Sequence, residues 1–176
     1  EAYWRKFSGT KDIQWADSAF KVCRHAQSLD TSVAEVRFTL GLLYHGVGND
    51  SLAILEYMSI LGADSLNAAA YMELGEAYGL ARQPQKAEAA YRQAIRLRPF
   101  DWQTYHYLGR AYANNKEYTK AIETWNEGTL RTPNQPVIHN GLGTALFNLD
   151  DWTGAIDHFN RALEGDSSRY QTYSNL

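Results

Sequence analysis

Residues 102–135 read WQTYHYLGRAYANNKEYTKAIETWNEGTLRTPNQ. In that stretch Leu108 and Gly109 are followed by Tyr112, then by Ala121, Trp125, Gly128 and Pro133, and the same marks return along the chain at a fixed step. Leu40, Leu74, Leu108, Leu142 and Leu176 stand 34 residues apart, and Gly41, Gly75, Gly109 and Gly143 follow the first four. Ala19, Ala53, Ala87, Ala121 and Ala155 keep the same step, as do Cys23, Tyr57, Tyr91, Trp125 and Phe159. Self-similarity without drift marks an array of repeats.

Each repeat reads as two helices. In residues 68–101, Tyr71, Leu74, Gly75 and Tyr78 fall at i, i+3, i+4, i+7, which is one face of a helix. Ala87, Tyr91, Ala94 and Ile95 form a second such face. Between them lies the short polar connection Ala81-Arg82-Gln83-Pro84. Pro84 suits a first helical turn, where its missing N–H is no loss. Pro99 ends the second helix by pushing the residue before it out of the α region. Asp101 is placed to cap the next helix through its carboxylate. The phase predicts first helices over 34–46, 68–81, 102–114 and 136–148, and second helices over 51–63, 84–97, 118–131 and 152–165. Another helix is expected over 14–29. One hairpin cannot bury its own apolar face, so neighbours must stack.

The marks in 102–135 resemble a tetratricopeptide repeat. Residues 68–101 match as well, through Leu74, Gly75, Tyr78, Ala87, Tyr91, Ala94 and Pro99. Residues 136–169 keep Leu142, Gly143, Ala155, Phe159 and Ala162, with Leu146 for the Tyr and Ser167 for the Pro. Residues 34–67 keep Leu40, Gly41, Tyr44, Ala53 and Tyr57, with Ile60 at a usually small site and Ser65 for the Pro. Residues 1–33 read as an incomplete leading repeat in which 1–10 supply a short partner helix. Residues 170–176 read as the start of a truncated further repeat. The resemblance implies an all-α fold, a right-handed α-solenoid of stacked antiparallel helix pairs, acting as a protein–protein interaction scaffold. Leu97-Arg98-Pro99…Trp102 and Tyr170…Ser174-Asn175-Leu176 also resemble arrays attached to bacterial serine/threonine kinases and other signalling proteins. Arrays normally end in a cap with a polar outer face. None follows Leu176, so the expectation is a piece of a larger signalling or assembly protein, with self-association through the uncapped end as an alternative. A regulatory arm of an enzyme whose catalytic domain lies outside the segment is a further one.

Composition narrows the function classes. A net charge of −3 argues against a nucleic-acid partner, whose footprint would be basic. No run of about 18 apolar residues is present, so no membrane insertion is expected. The single cysteine, Cys23, excludes an internal disulfide framework and reads as a small core residue on the aromatic track. The five histidines are His25, His45, His106, His139 and His158; none has metal-ligand spacing beside a supporting carboxylate or cysteine. His139, on a buried aromatic track, reads as a satisfied core histidine. Asp150 and Asp151 precede a helix and read as caps rather than as acid–base partners. Asn49-Asp50-Ser51 reads as a turn. No enzyme activity, cofactor or metal is expected, and the cytoplasm is the expected compartment.

Binding carries what remains. In tetratricopeptide arrays the first helices line a concave groove. By phase, the groove-facing residues are Glu35, Phe38, Leu42 and His45, then Ala69, Met72, Glu73, Glu76 and Leu80. Further along come Gln103, His106, Tyr107, Arg110 and Asn114, then Val137, Asn140, Thr144, Phe147 and Asn148. The protein-binding candidates drawn from them are Met72, Glu73, Glu76, Gln103, His106, Tyr107, Arg110, Asn114, Asn140, Thr144 and Asn148. Amides at 103, 114, 140 and 148 suit the N–H and C=O of an extended peptide. Tyr107, Phe38, Phe147 and Met72 are apolar anchors, and Arg110 is the strong cation, flanked by Glu73 and Glu76 of the adjacent repeat, with simple pairing to them as the alternative. A carboxylate clamp for chaperone tails would need Lys, Asn or Arg where this chain has Phe38, Leu42, Glu73 or Tyr107, Val137 and Gly141. That ligand is therefore excluded as the main reading.

Overall fold

The computed structural model describes residues 13–29 and 33–165, with side chains from Ala16 onward. The chain divides into two compact units, Glu1–Ala90 and Tyr91–Leu176. The first carries α1 (Ile13–Leu29), α2 (Ala34–Gly46), α3 (Asp50–Ala63), α4 (Ala68–Leu80) and the start of α5 (Pro84–Leu97). The second carries the rest of α5, then α6 (Trp102–Asn114), α7 (Tyr118–Arg131), α8 (Pro136–Asn148) and α9 (Trp152–Gly165). Every element among the described residues is helical, and the spans agree with the sequence expectation to within a residue at each end. The proposed partner helix in residues 1–10 and the restart at 170–176 lie outside the described residues.

The helix ends follow from local chemistry. Asn49 accepts from the Leu52 N–H at 3.3 Å, and Asn67 from the Ala70 N–H at 3.0 Å. Asp101 accepts from the Gln103 N–H at 3.1 Å, the capping role its position predicted. Asp151 accepts from the Gly154 N–H at 2.9 Å, so it is a cap as expected. Pro84 and Pro136 open their helices, where no N–H is missed. The turn inside each hairpin passes through one left-handed residue: Gly48 (φ 79°), Arg82 (57°), Lys116 (62°) and Asp150 (61°). Only glycine takes that conformation without steric cost.

The tracks meet in the cores. Ala53 and Ala121 are fully buried, and Ala19, Ala87 and Ala155 nearly so, which lets the helices of a pair approach closely. Gly41, Gly109 and Gly143 each lie under the aromatic of the second helix of their pair. A Cβ on Gly41 would stand 2.5 Å from the Tyr57 ring, and one on Gly143 would stand 2.6 Å from the Phe159 ring. In the first unit Tyr57, Ile60, Ala70, Leu74 and Ala77 form one cluster, with Ala19, Cys23, Leu40 and Leu43 in another. Cys23 is buried, and that burial raises its thiol pKa, so it is a poor nucleophile. In the second unit Tyr105, Leu108, Trp125, Ile138, Leu142 and Phe159 fill the corresponding space.

Candidate functional site

Eight of the sequence candidates lie on α6 and α8 of the second unit. Trp125 of α7 positions both helices: its ring lies against Gly109 of α6 and Gly141 of α8, so both backbones come close to it. Its indole Nε1 donates to the His106 carbonyl at 3.3 Å. On α6, Tyr107 is half-buried and the exposed Arg110 lays its guanidinium 4.8 Å from the Tyr107 ring centroid. That arrangement is a cation–π contact, and it holds the long side chain along the helix. The His106 ring packs against Tyr107 at 5.6 Å. Gln103 and Asn114 are exposed.

On α8 the three candidates differ in kind. Thr144 donates to the Asn140 carbonyl at 2.9 Å, and Asn148 donates to the Thr144 carbonyl at 2.8 Å. Both are exposed and locally bonded. Asn140 is the reverse: its Oδ1 is buried and has no hydrogen-bond partner among the described residues. A buried acceptor left unmet costs about 1–3 kcal/mol.

The other three candidates, Met72, Glu73 and Glu76, lie on α4 of the first unit, and all are half-buried. Glu73 has its pKa pushed up to about 7, chiefly by burial and then by the like charge of Glu76, with His45 partly offsetting both. His45, expected to face the groove, has its Nδ1 2.9 Å from Asp50 Oδ1.

One pairing escaped the sequence reading. His139 is buried, as expected, and its Nε2 lies 2.9 Å from the Pro133 carbonyl. A carbonyl only accepts, so in the neutral ring Nε2 carries the proton and Nδ1 is bare. The His158 Nδ1 lies 3.1 Å from it and must donate. The two rings are 25° from parallel, with centroids 5.3 Å apart. The pair lines a cleft of about 800 Å³ together with Asn126, Pro133, Arg161 and Glu164. The signal was an offset of 19 residues, which also joins Arg37 to Glu56 and His106 to Trp125.

Burial, then His139 and Arg161, holds His158 below the ordinary histidine pKa of 6.5. The unfolded chain therefore binds the proton more readily than the folded one. The contribution of this group is fully present above 6.5 and is lost as pH falls from there through the lower folded pKa. Urea midpoints at pH 7.5 and 5.5 should show this loss in wild type and a smaller one in His158→Gln. An equal loss in both proteins would clear the pair of responsibility.

Among the described residues no three His, Cys, Asp or Glu side chains converge as a metal site, and no helix is long and apolar enough to cross a membrane.

Comparison with known proteins supports the repeat reading. Residues 73–136 match the tetratricopeptide repeat family model. No curated protein sequence matches the chain. Among solved structures, MamA is 25% identical, covering 96% of this chain and 96% of its own, with a TM-score of 0.76. PilF of Pseudomonas aeruginosa is 20% identical over 99% of this chain and 79% of its own, with a TM-score of 0.77. A thermophilic tetratricopeptide protein of Thermus thermophilus is 17% identical over 98% of this chain and 94% of its own, with a TM-score of 0.74. The fold is thus an all-α helical solenoid like those of tetratricopeptide proteins, a fold that suggests a protein-interaction scaffold.

Proposed function

We propose that this tetratricopeptide array binds an extended or helical segment of a partner protein along the row formed by His106, Tyr107, Arg110 and Asn140. The observation that carries the reading is the buried, unmet Oδ1 of Asn140 on the helix beside the Tyr107–Arg110 stack. An acceptor in that state gains most from a donor brought by a ligand, such as a peptide N–H. Tyr107 supplies a rigid aromatic anchor and Arg110 a charged donor, both typical of residues that dominate binding energy. A groove of this kind performs no reaction. It selects a partner and holds it, and the kinase-like repeat style favours work within a larger signalling or assembly protein in the cytoplasm.

The test uses peptides selected from a random display library against the whole chain. Binding in the micromolar range is expected, since a flexible ligand must be ordered. Tyr107→Ala/Arg110→Ala/Asn140→Ala, shown by circular dichroism to be folded, should lose roughly tenfold or more in affinity. Retention of full affinity would move the binding surface elsewhere.

A further inference from the structure

The repeats supply their own standard for the outer side of a second helix, and α3 departs from it. Where α3 has Leu52, the positions 34 residues apart carry Ser18, Lys86, Lys120 and Gly154. Where it has Leu55, they carry Lys21, Ala89, Glu123 and Asp157. Where it has Met58, they carry Arg24, Arg92, Asn126 and Asn160. At all three positions α3 alone has a large apolar side chain.

The fold leaves these side chains in water. Leu52 is 37% exposed, Leu55 60% and Met58 51%. At about 100° per residue they share one sector of about 120° with Ser51, Ser59 and Gly62. The helix, described in full, exposes no charged side chain. Its inner side is already filled by Ala53, Tyr57 and Ile60, so core packing does not call for the outer strip. A Cβ on Gly62 would meet nothing within 4 Å, which leaves room for a partner backbone to come close. The half-buried Tyr78 of α4 donates its hydroxyl to the Met58 sulfur at 3.6 Å, so the edge of the strip reaches a second helix. Single exposed apolar residues are ordinary; a continuous uncharged strip marks an interaction surface.

Charge selects the occupant. Residues 38–81 contain no Lys or Arg but five acidic residues: Asp50, Glu56, Asp64, Glu73 and Glu76. Asp50 and Asp64 stand at the two ends of α3. Arg37 of α2 is engaged by Glu56 at 3.1 Å, and the Lys86 ammonium lies 5.4 Å from the centre of the Tyr78 ring. We propose that the strip Leu52–Leu55–Met58 docks an amphipathic helix of a partner protein, apolar on one face and flanked by lysine or arginine. Leucine-type anchors one turn apart meet the strip, and the basic flanks meet the acidic ends. A second copy of this chain would set the same acidic segment against itself. An anionic lipid surface would be repelled for the same reason. The strip lies on a second helix of the first unit and the α6–α8 row on first helices of the second, so either can fail alone.

The experiment uses the whole chain with ¹³C at the methionine ε-methyls. Its two methionines give one reporter on the strip, Met58, and one among the α4 groove candidates, Met72. The probe is a helix-forming leucine–lysine peptide of 14 residues, the length of α3, with leucine along one face. The controls carry glutamate for lysine, or the same residues scrambled. The basic amphipathic peptide should shift Met58 and leave Met72 in place, and both controls should bind at least tenfold more weakly. Leu52→Lys/Leu55→Glu/Met58→Asn gives α3 the residues that α7 carries in register and leaves the net charge at −3. This variant, shown by circular dichroism to be folded, should lose roughly tenfold or more in affinity, read by anisotropy of the labelled peptide. An unmoved Met58, equal binding of either control, or full affinity in the variant would overturn the proposal. So would a wild-type dimer that the variant abolishes, which makes a second copy the occupant, or variant-sensitive binding to phosphatidylglycerol vesicles, which makes it lipid.

Discussion

Trp125→Ala lowers the unfolding free energy by about 3–5 kcal/mol, the range for removing a large aromatic from a packed core. The side chain is 3% exposed. Its ring fills the space left by Gly109 on α6 and Gly141 on α8, so truncation leaves a cavity under two backbones that cannot collapse independently. The His106 carbonyl also loses the indole N–H, an additional donor to its helical one, a smaller loss of about 1 kcal/mol. Urea denaturation monitored by circular dichroism measures the effect. Trp152→Ala is the internal control: Trp152 is 53% exposed, and its edge-on contact with Phe147 at 4.9 Å is a surface one. It should cost far less. The chain has five tryptophans, so burial is checked in a variant retaining Trp125 alone, whose emission should be blue-shifted. Similar losses for the two tryptophans would contradict the packing described.

Much of this architecture was legible because tetratricopeptide packing is written as spacing. The Leu-Gly pair and the aromatic sixteen residues after its glycine were visible as tracks, and the structure shows why they travel together: Gly41 lies beneath Tyr57, and Gly143 beneath Phe159. Helix ends were legible where a side chain makes them, as at Asp101 and Pro84. The hairpin turns were not. Arg82 and Lys116 take left-handed backbone that their residue types do not announce, because the short connection imposes it. The groove set was legible as positions but not as states. Phase placed Asn140 and Thr144 on one helix face, yet only the folded chain separates the locally bonded Thr144 from the unmet Asn140. The His139–His158 pair was missed because metal-ligand spacing was sought along the sequence, while the contact crosses two helices. Glu73 read as an ordinary acidic groove residue; the fold half-buries it near the like charge of Glu76, which no spacing rule announces.

That burial has a stability consequence with a definite sign. The Glu73 pKa rises from an ordinary 4.5 to about 7 in the folded protein, so the folded state holds its proton more tightly than the unfolded one. The contribution is fully present below pH 4.5 and is lost as pH rises through about 7. Glu73→Gln keeps the neutral shape at every pH and removes the charge that faces Glu76. It should therefore be more stable than wild type by about 2–3 kcal/mol at pH 8, with a smaller gap at pH 6. Urea midpoints for both proteins at the two pH values test this. A constant gap, or a less stable variant, would mean that Glu73 is not held as a buried acid.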